Sequence, residues 1–212
     1  DARNGSLGIY AQRLDADENP LWATNGVQVG EIISASVDRP VAVSDASGGA
    51  YVIWAATRGI KNNFEQLYAQ RIGSDGSRLW VQEGVPVCLA NSHQRGPVGV
   101  SDLLPANFFR QPGIIVAWED ARAGAFEIYA QRVDQNGVRL WGDLGVRLSN
   151  QGGDVAGNPV ICPDGTNTPT QFAGGAIVAW TRFGAETDIY ANRVDRAGAV
   201  GWGANGVAVC TA

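Results

Sequence analysis

Apolar residues come in short runs, and glycine, aspartate, asparagine and proline separate the runs. Three runs are almost continuously apolar: GAYVIW ending at Trp54, GIIVAW ending at Trp118 and GAIVAW ending at Trp180. Runs this short, rich in β-branched and aromatic residues, predict strands buried on both faces. Four others alternate, VQVG from Val27, VPVC from Val85, VRLS from Val146 and VAVC from Val207. Alternation predicts strands with one buried face. The whole pattern predicts antiparallel strands joined by turns, with no helix.

The runs recur in a fixed order. IYAQR begins at Ile9, LYAQR at Leu67, IYAQR at Ile128 and IYANR at Ile189, offsets of 58, 61 and 61 residues. Each tyrosine is followed by a tryptophan twelve positions on, pairing Tyr10 with Trp22, Tyr68 with Trp80, Tyr129 with Trp141 and Tyr190 with Trp202. Four residues later stand Gly26, Gly84, Gly145 and Gly206. Proline-led runs PVAVSD, PVGVSD and PVICPD start at Pro40, Pro97 and Pro159, ahead of the three tryptophan-ended runs.

Each repeat thus encodes four strands that cannot bury both faces alone, so copies must pack side by side, and radial packing of such sheets gives a β-propeller. The expected fold is all-β, with about three and a half four-stranded antiparallel blades in an incomplete ring. One propeller segment covers 1–212, divided as a half blade 1–30 and blades 31–90, 91–150 and 151–212. The proline-led and tryptophan-ended runs are the expected inner strands. The long loop from Leu103 to Pro112 accounts for part of a period longer than usual for a blade.

DARNGSLGIYAQR at the head aligns with DARAGAFEIYAQR from Asp120, so Asp1 falls after the second strand of its blade. Fourteen strands are expected, and the partners implied are further blades of the same polypeptide or neighbouring copies.

Composition narrows the functional classes. A net charge of -5 argues against nucleic-acid binding, which needs a basic face. Lys61 is the one lysine among 16 basic residues. The arginines suit forked pairing with carboxylates. No apolar stretch is long enough for a membrane-spanning helix, so membrane insertion is not expected. Cys88, Cys162 and Cys210 have no metal-site spacing and are expected to be small buried residues on strands.

The elements W-x-D-x-R (complete at Trp118 to Arg122), IYAQR, D-x-x-G-x-x-x-W and GV-x-V resemble the repeats of large secreted bacterial β-propeller proteins. That resemblance implies an extracellular or cell-surface location and no particular activity. The segment SDGSRLW, Ser74 to Trp80, and the turns Asp134 to Trp141 and Asp195 to Trp202 are also similar to the Asp-box turn of sialidase-like propellers.

Candidate chemistry is sparse. A glycosidase needs two carboxylates about 5 to 9.5 Å apart. Glu119 and Asp120 are the copy-specific acidic pair, standing where other repeats have Ala55 and Ala56, or Thr181 and Arg182; a solvated loop pair is expected. The sole histidine, His93, is expected to be exposed, and neither Ser92 nor Cys88 has a nucleophile elbow. Asp15, Asp17 and Glu18 fit turn chemistry better than calcium binding.

No catalytic residue, metal or cofactor is therefore expected. Arg13, Arg71, Arg132 and Arg193 recur at one blade position, and Gln12, Gln70 and Gln131 at another, with Asn192 in the fourth copy. Their expected duty is structural, arginine bridging loop carboxylates between blades; a repeated inter-blade carbohydrate site is the alternative. The sequence favours a non-enzymatic scaffold or protein-interaction segment, with a surface or filamentous assembly as the expected setting. A glycan-binding propeller and an incomplete portion of a sialidase-like hydrolase are its rivals.

Overall fold

In the computed structural model, residues 8–31, 37–57, 64–102, 112–150, 152–165 and 174–211 are described. Within them the chain is all-β, with no helix and four antiparallel sheets. The first sheet pairs β1 (Gly8–Ala11) with β2 (Val27–Glu31). The second runs in chain order through β3 (Val37–Ser44), β4 (Ala50–Thr57), β5 (Glu65–Ile72) and β6 (Val85–Pro86). The third contains β7 (Gln94–Ser101), β8 (Ile114–Ala123), β9 (Ala125–Val133) and β10 (Val146–Arg147). The fourth contains β11 (Val155–Pro163), β12 (Ala176–Phe183), β13 (Thr187–Val194) and β14 (Val207–Cys210). Of the loop expected to lengthen the third repeat, Leu103 to Pro112, residues 103–111 lie outside the described residues.

Sheets stack in chain order, and the core lies between them. Ile9 and Val29 of the first sheet meet Val52, Trp54 and Ala56 of the second. Tyr51, Ile53, Ala55 and Leu67 of the second meet Ile114, Val116 and Trp118 of the third. Ile115, Ala117 and Ile128 of the third meet Ala176, Val178 and Trp180 of the fourth. Odd and even residues of β4 therefore serve different neighbours, which is why its sequence is apolar without interruption. The first strands also touch in series, β3 with β7 and β7 with β11.

Two devices recur in each four-stranded sheet. The tryptophan in the middle of the second strand stacks on the tyrosine opposite it: Trp54 on Tyr68, Trp118 on Tyr129 and Trp180 on Tyr190, centroids 6.2, 6.3 and 6.4 Å apart. A glycine then closes the tryptophan turn with φ of 78° at Gly84, 70° at Gly145 and 71° at Gly206. A Cβ there would stand 2.5 to 2.7 Å from the carbonyl oxygens of Ala69, Ala130 and Ala191. Only glycine fits both the left-handed backbone and that approach.

Burial corrects several expectations. Cys88 is buried, but Cys162 and Cys210 are exposed, and all three are free thiols. Trp54, Trp118 and Trp180 are core residues, whereas of the turn tryptophans Trp141 is 7% exposed and Trp202 is 38% exposed.

Candidate functional site

The recurrent amides form one staple, repeated four times. Gln70 Oε1 accepts the backbone N–H of Arg71 and of Trp80, both at 3.0 Å, while its Nε2 donates to the Val81 carbonyl at 2.7 Å. Gln131 does the same with Arg132, Trp141 and Gly142, at 3.0, 2.9 and 2.6 Å. Gln12 repeats it with Arg13, Trp22 and Ala23, and Asn192 with Arg193, Trp202 and Gly203. Gln70, Gln131 and Asn192 have no exposed surface. Each amide fixes its tryptophan turn against its own third strand.

The recurrent arginines pair inside their own sheets. Arg71 donates through Nη2 to Asp45 at 2.8 Å, Arg132 to Asp102 at 2.6 Å and Arg193 to Asp164 at 2.9 Å. Each aspartate ends its proline-led run and sits in the first turn of the sheet, so the carboxylate is not on a neighbouring blade as the sequence suggested. Contact with the next sheet goes instead to backbone: Arg13 reaches the Ser74 carbonyl and Arg132 the Arg196 carbonyl, each at 3.4 Å. The aspartates were findable, because an Asp precedes each of these three arginines by a similar interval in the same repeat. Burial alone would raise the Asp45 carboxyl, but donors from Ser47, Arg71 and Gly49 hold it below its ordinary value.

Glu119 and Asp120 are strand residues of β8, buried rather than solvated in a loop. As neighbours on a strand they face opposite sides, which separates them as an acid–base pair. Glu119 accepts Arg95 Nε at 2.8 Å and the Asn158 backbone N–H at 2.8 Å, tying the third sheet to the fourth. It lines a cleft of about 520 Å³ with Val41, Arg95, Pro97, Asn158 and Pro159. Left-handed backbone at Gly96 and Asn158, φ 59° and 53°, interrupts the strand ladder before each proline and opens this cleft.

Asp120 accepts the Ser92 hydroxyl at 2.7 Å, Trp118 Nε1 at 3.0 Å, the Arg122 N–H at 3.0 Å and the Arg122 guanidinium. Arg122 also lies 4.0 Å over the Tyr129 ring and donates to Cys88 Sγ at 3.0 Å. Burial pushes the Cys88 thiol up, away from the reactive thiolate. His93 is exposed at the surface, edge-on to Phe64 at 4.8 Å.

The acidic first turn shows Asx chemistry. Asp15 Oδ1 accepts the N–H of Asp17 at 2.9 Å and of Asn19 at 2.8 Å, and Asp134 and Asp195 accept at equivalent positions. Among the described residues no group of three His, Cys, Asp or Glu side chains could hold a metal ion.

Sequence reasoning missed one recurrent contact. Trp22 Nε1 donates to the Ser74 carbonyl at 2.9 Å, Trp80 Nε1 to Gln135 at 3.0 Å and Trp141 Nε1 to Arg196 at 3.0 Å, each in the turn of the next sheet. The ring lies against a turn glycine, namely Gly76, Gly137 and Gly198. Those glycines follow the turn start by a constant interval, a signal visible in the repeat.

Together these features define a class: an all-β repeat protein of stacked antiparallel sheets joined by tryptophan clamps. No protein-family model matches the chain, and no curated protein matches it.

Proposed function

We propose that the chain is a β-propeller segment of about three and a half four-stranded blades, acting outside the cell as a non-enzymatic scaffold or protein-interaction unit. One observation carries this reading: the polar side chains that recur in every repeat are consumed in holding the repeat together. Gln70 and Gln131 spend their amides on their own turns, and Arg71 and Arg132 spend their guanidinium groups on Asp45 and Asp102. The chain-order contact of β3, β7 and β11 supports radial placement of the blades around inner first strands. The extracellular assignment follows the likeness of the repeats to those of secreted bacterial propellers.

The copy-specific carboxylates support the non-enzymatic part. Glu119 is neutralised by Arg95 and Asp120 by Arg122, on opposite faces of one strand. The two carboxylates therefore do not face each other across one pocket, the arrangement glycoside hydrolysis uses. Incubating the chain with a panel of sialylated and neutral glycans should give no hydrolysis. Product formation that disappears in Glu119→Gln would replace the scaffold with a glycosidase.

A glycan-binding reading has one observation in its favour, the open cleft where the half-exposed Arg95 pairs with Glu119. A glycan array tests it, and binding lost in Arg95→Ala would establish that second reading.

A further inference from the structure

The tryptophan clamp operates three times inside the molecule, always from one sheet to the next. The fourth turn tryptophan is prepared in the same way: Asn192 Oδ1 accepts the Trp202 N–H at 3.1 Å, matching the staple that orients Trp141 at 2.9 Å. Its ring is nevertheless 38% exposed. The strand beside it tells the same story. Leu67 and Ile128 are fully buried against the following sheet, while Ile189, at the equivalent position, is 38% exposed. Phe183 and Val207 of the fourth sheet are each 43% exposed and Val160 is 63% exposed.

We propose that this face of the fourth sheet receives one more sheet of the same repeat type, and that a second copy of this chain does not supply it. Its Asp-x-x-Gly turn presents a carbonyl oxygen to Trp202 Nε1 and a glycine beneath the indole. Continuity with three identical internal joints defines the occupant's chemistry.

A second copy is refused by its own turns. Three of them are filled by Trp22, Trp80 and Trp141. The remaining turn, beginning at Asp15, carries Glu18 at φ 66°, where the filled turns carry Gly76, Gly137 and Gly198 at φ 85°, 83° and 90°. A Cβ at those glycines would stand 3.0 Å from Trp22, 3.3 Å from Trp80 and 2.8 Å from Trp141. Glu18 places a Cβ and a carboxylate where the indole must lie. It is the gate that selects the partner sheet over the chain itself.

The inference deepens the scaffold reading and rests on it, but its test is independent of the glycan assays. The chain is labelled with ¹⁵N at its tryptophan indoles and titrated with unlabelled Glu18→Gly/Trp202→Ala chain, which has an opened acceptor turn and no donor. Trp202 is assigned by its loss in Trp202→Phe. The expected result is a saturable shift and slowed solvent exchange of the Trp202 indole N–H alone, with at least tenfold tighter binding than to unlabelled Trp202→Ala chain. Glycine suits φ 66°, so the acceptor variant should keep its circular dichroism spectrum. Absence of a shift at about 1 mM acceptor would overturn the clamp. An equal shift with the Trp202→Ala chain would make a second copy the occupant and overturn the gate.

Discussion

Trp141 and Trp202 close the same motif, yet one ring lies under the following sheet and the other faces solvent. Removing a buried indole leaves a cavity and takes from the Arg196 carbonyl its 3.0 Å donor, so Trp141→Ala should cost about 3–5 kcal/mol in chemical denaturation. Trp202→Ala should cost less than about 1 kcal/mol. Equal losses would show that the two turns have the same surroundings. Burial would raise the Asp120 carboxyl, but Arg122, Ser92 and Trp118 more than offset it and hold the group below its ordinary 3.8. Because the folded-state pKa is the lower one, the unfolded chain takes up protons first as pH falls. The stabilisation is therefore complete above about pH 5 and is lost as pH drops through the folded value. The denaturation midpoint should decline below about pH 4, and less steeply in Asp120→Asn.

At the scale of the element, the four-stranded sheet is closed by a buried ion pair linking its first turn to its third strand. Asp102 and Arg132 have side chains only 2% and 7% exposed. Asp102→Ala leaves a buried guanidinium without its carboxylate and should cost about 3–5 kcal/mol. Asp143, 69% exposed in its pair with Arg139, should cost less than about 1 kcal/mol when changed to alanine. Thermal melts of the two variants compare them directly. The strands themselves were readable from punctuation and periodicity, down to fourteen among the described residues. The exception is length: β6 and β10 shrink to two residues each. Pairing resumes beyond them, with Val87 donating to Leu67 and Leu148 to Ile128, so the ladder breaks where β2 and β14 bulge in the other sheets. A bulge is a property of the paired backbone, and period-two alternation carries no mark of it. The Asp that precedes each arginine in its own repeat was the one sign of that arginine's partner. Sequence showed that Arg71, Arg132 and Arg193 recur, but which sheet supplies the carboxylate depends on how the first turn folds back over the third strand.

At the scale of the whole molecule, stability is a chain of nearest-neighbour contacts. The second and third sheets are covered on both faces, by cores that run from Trp54 to Trp180. Repeat proteins built this way open from the ends. Amide hydrogen exchange should therefore be slowest in β4, β5, β8 and β9 and fastest in β1 and β14; uniform protection would mean a single cooperative unit. The clamp adds a rule about symmetry. Its donor, an indole, and its acceptor, a glycine turn, stand on opposite faces of every sheet, so the joint is head to tail by construction. Two molecules related by a twofold axis through their Trp202 faces would set indole against indole, with no carbonyl to receive either N–H. Any assembly that uses this joint is heterologous, and because Glu18 occupies the one unfilled acceptor turn, the joint is made on the Trp202 face and is not propagated from copy to copy.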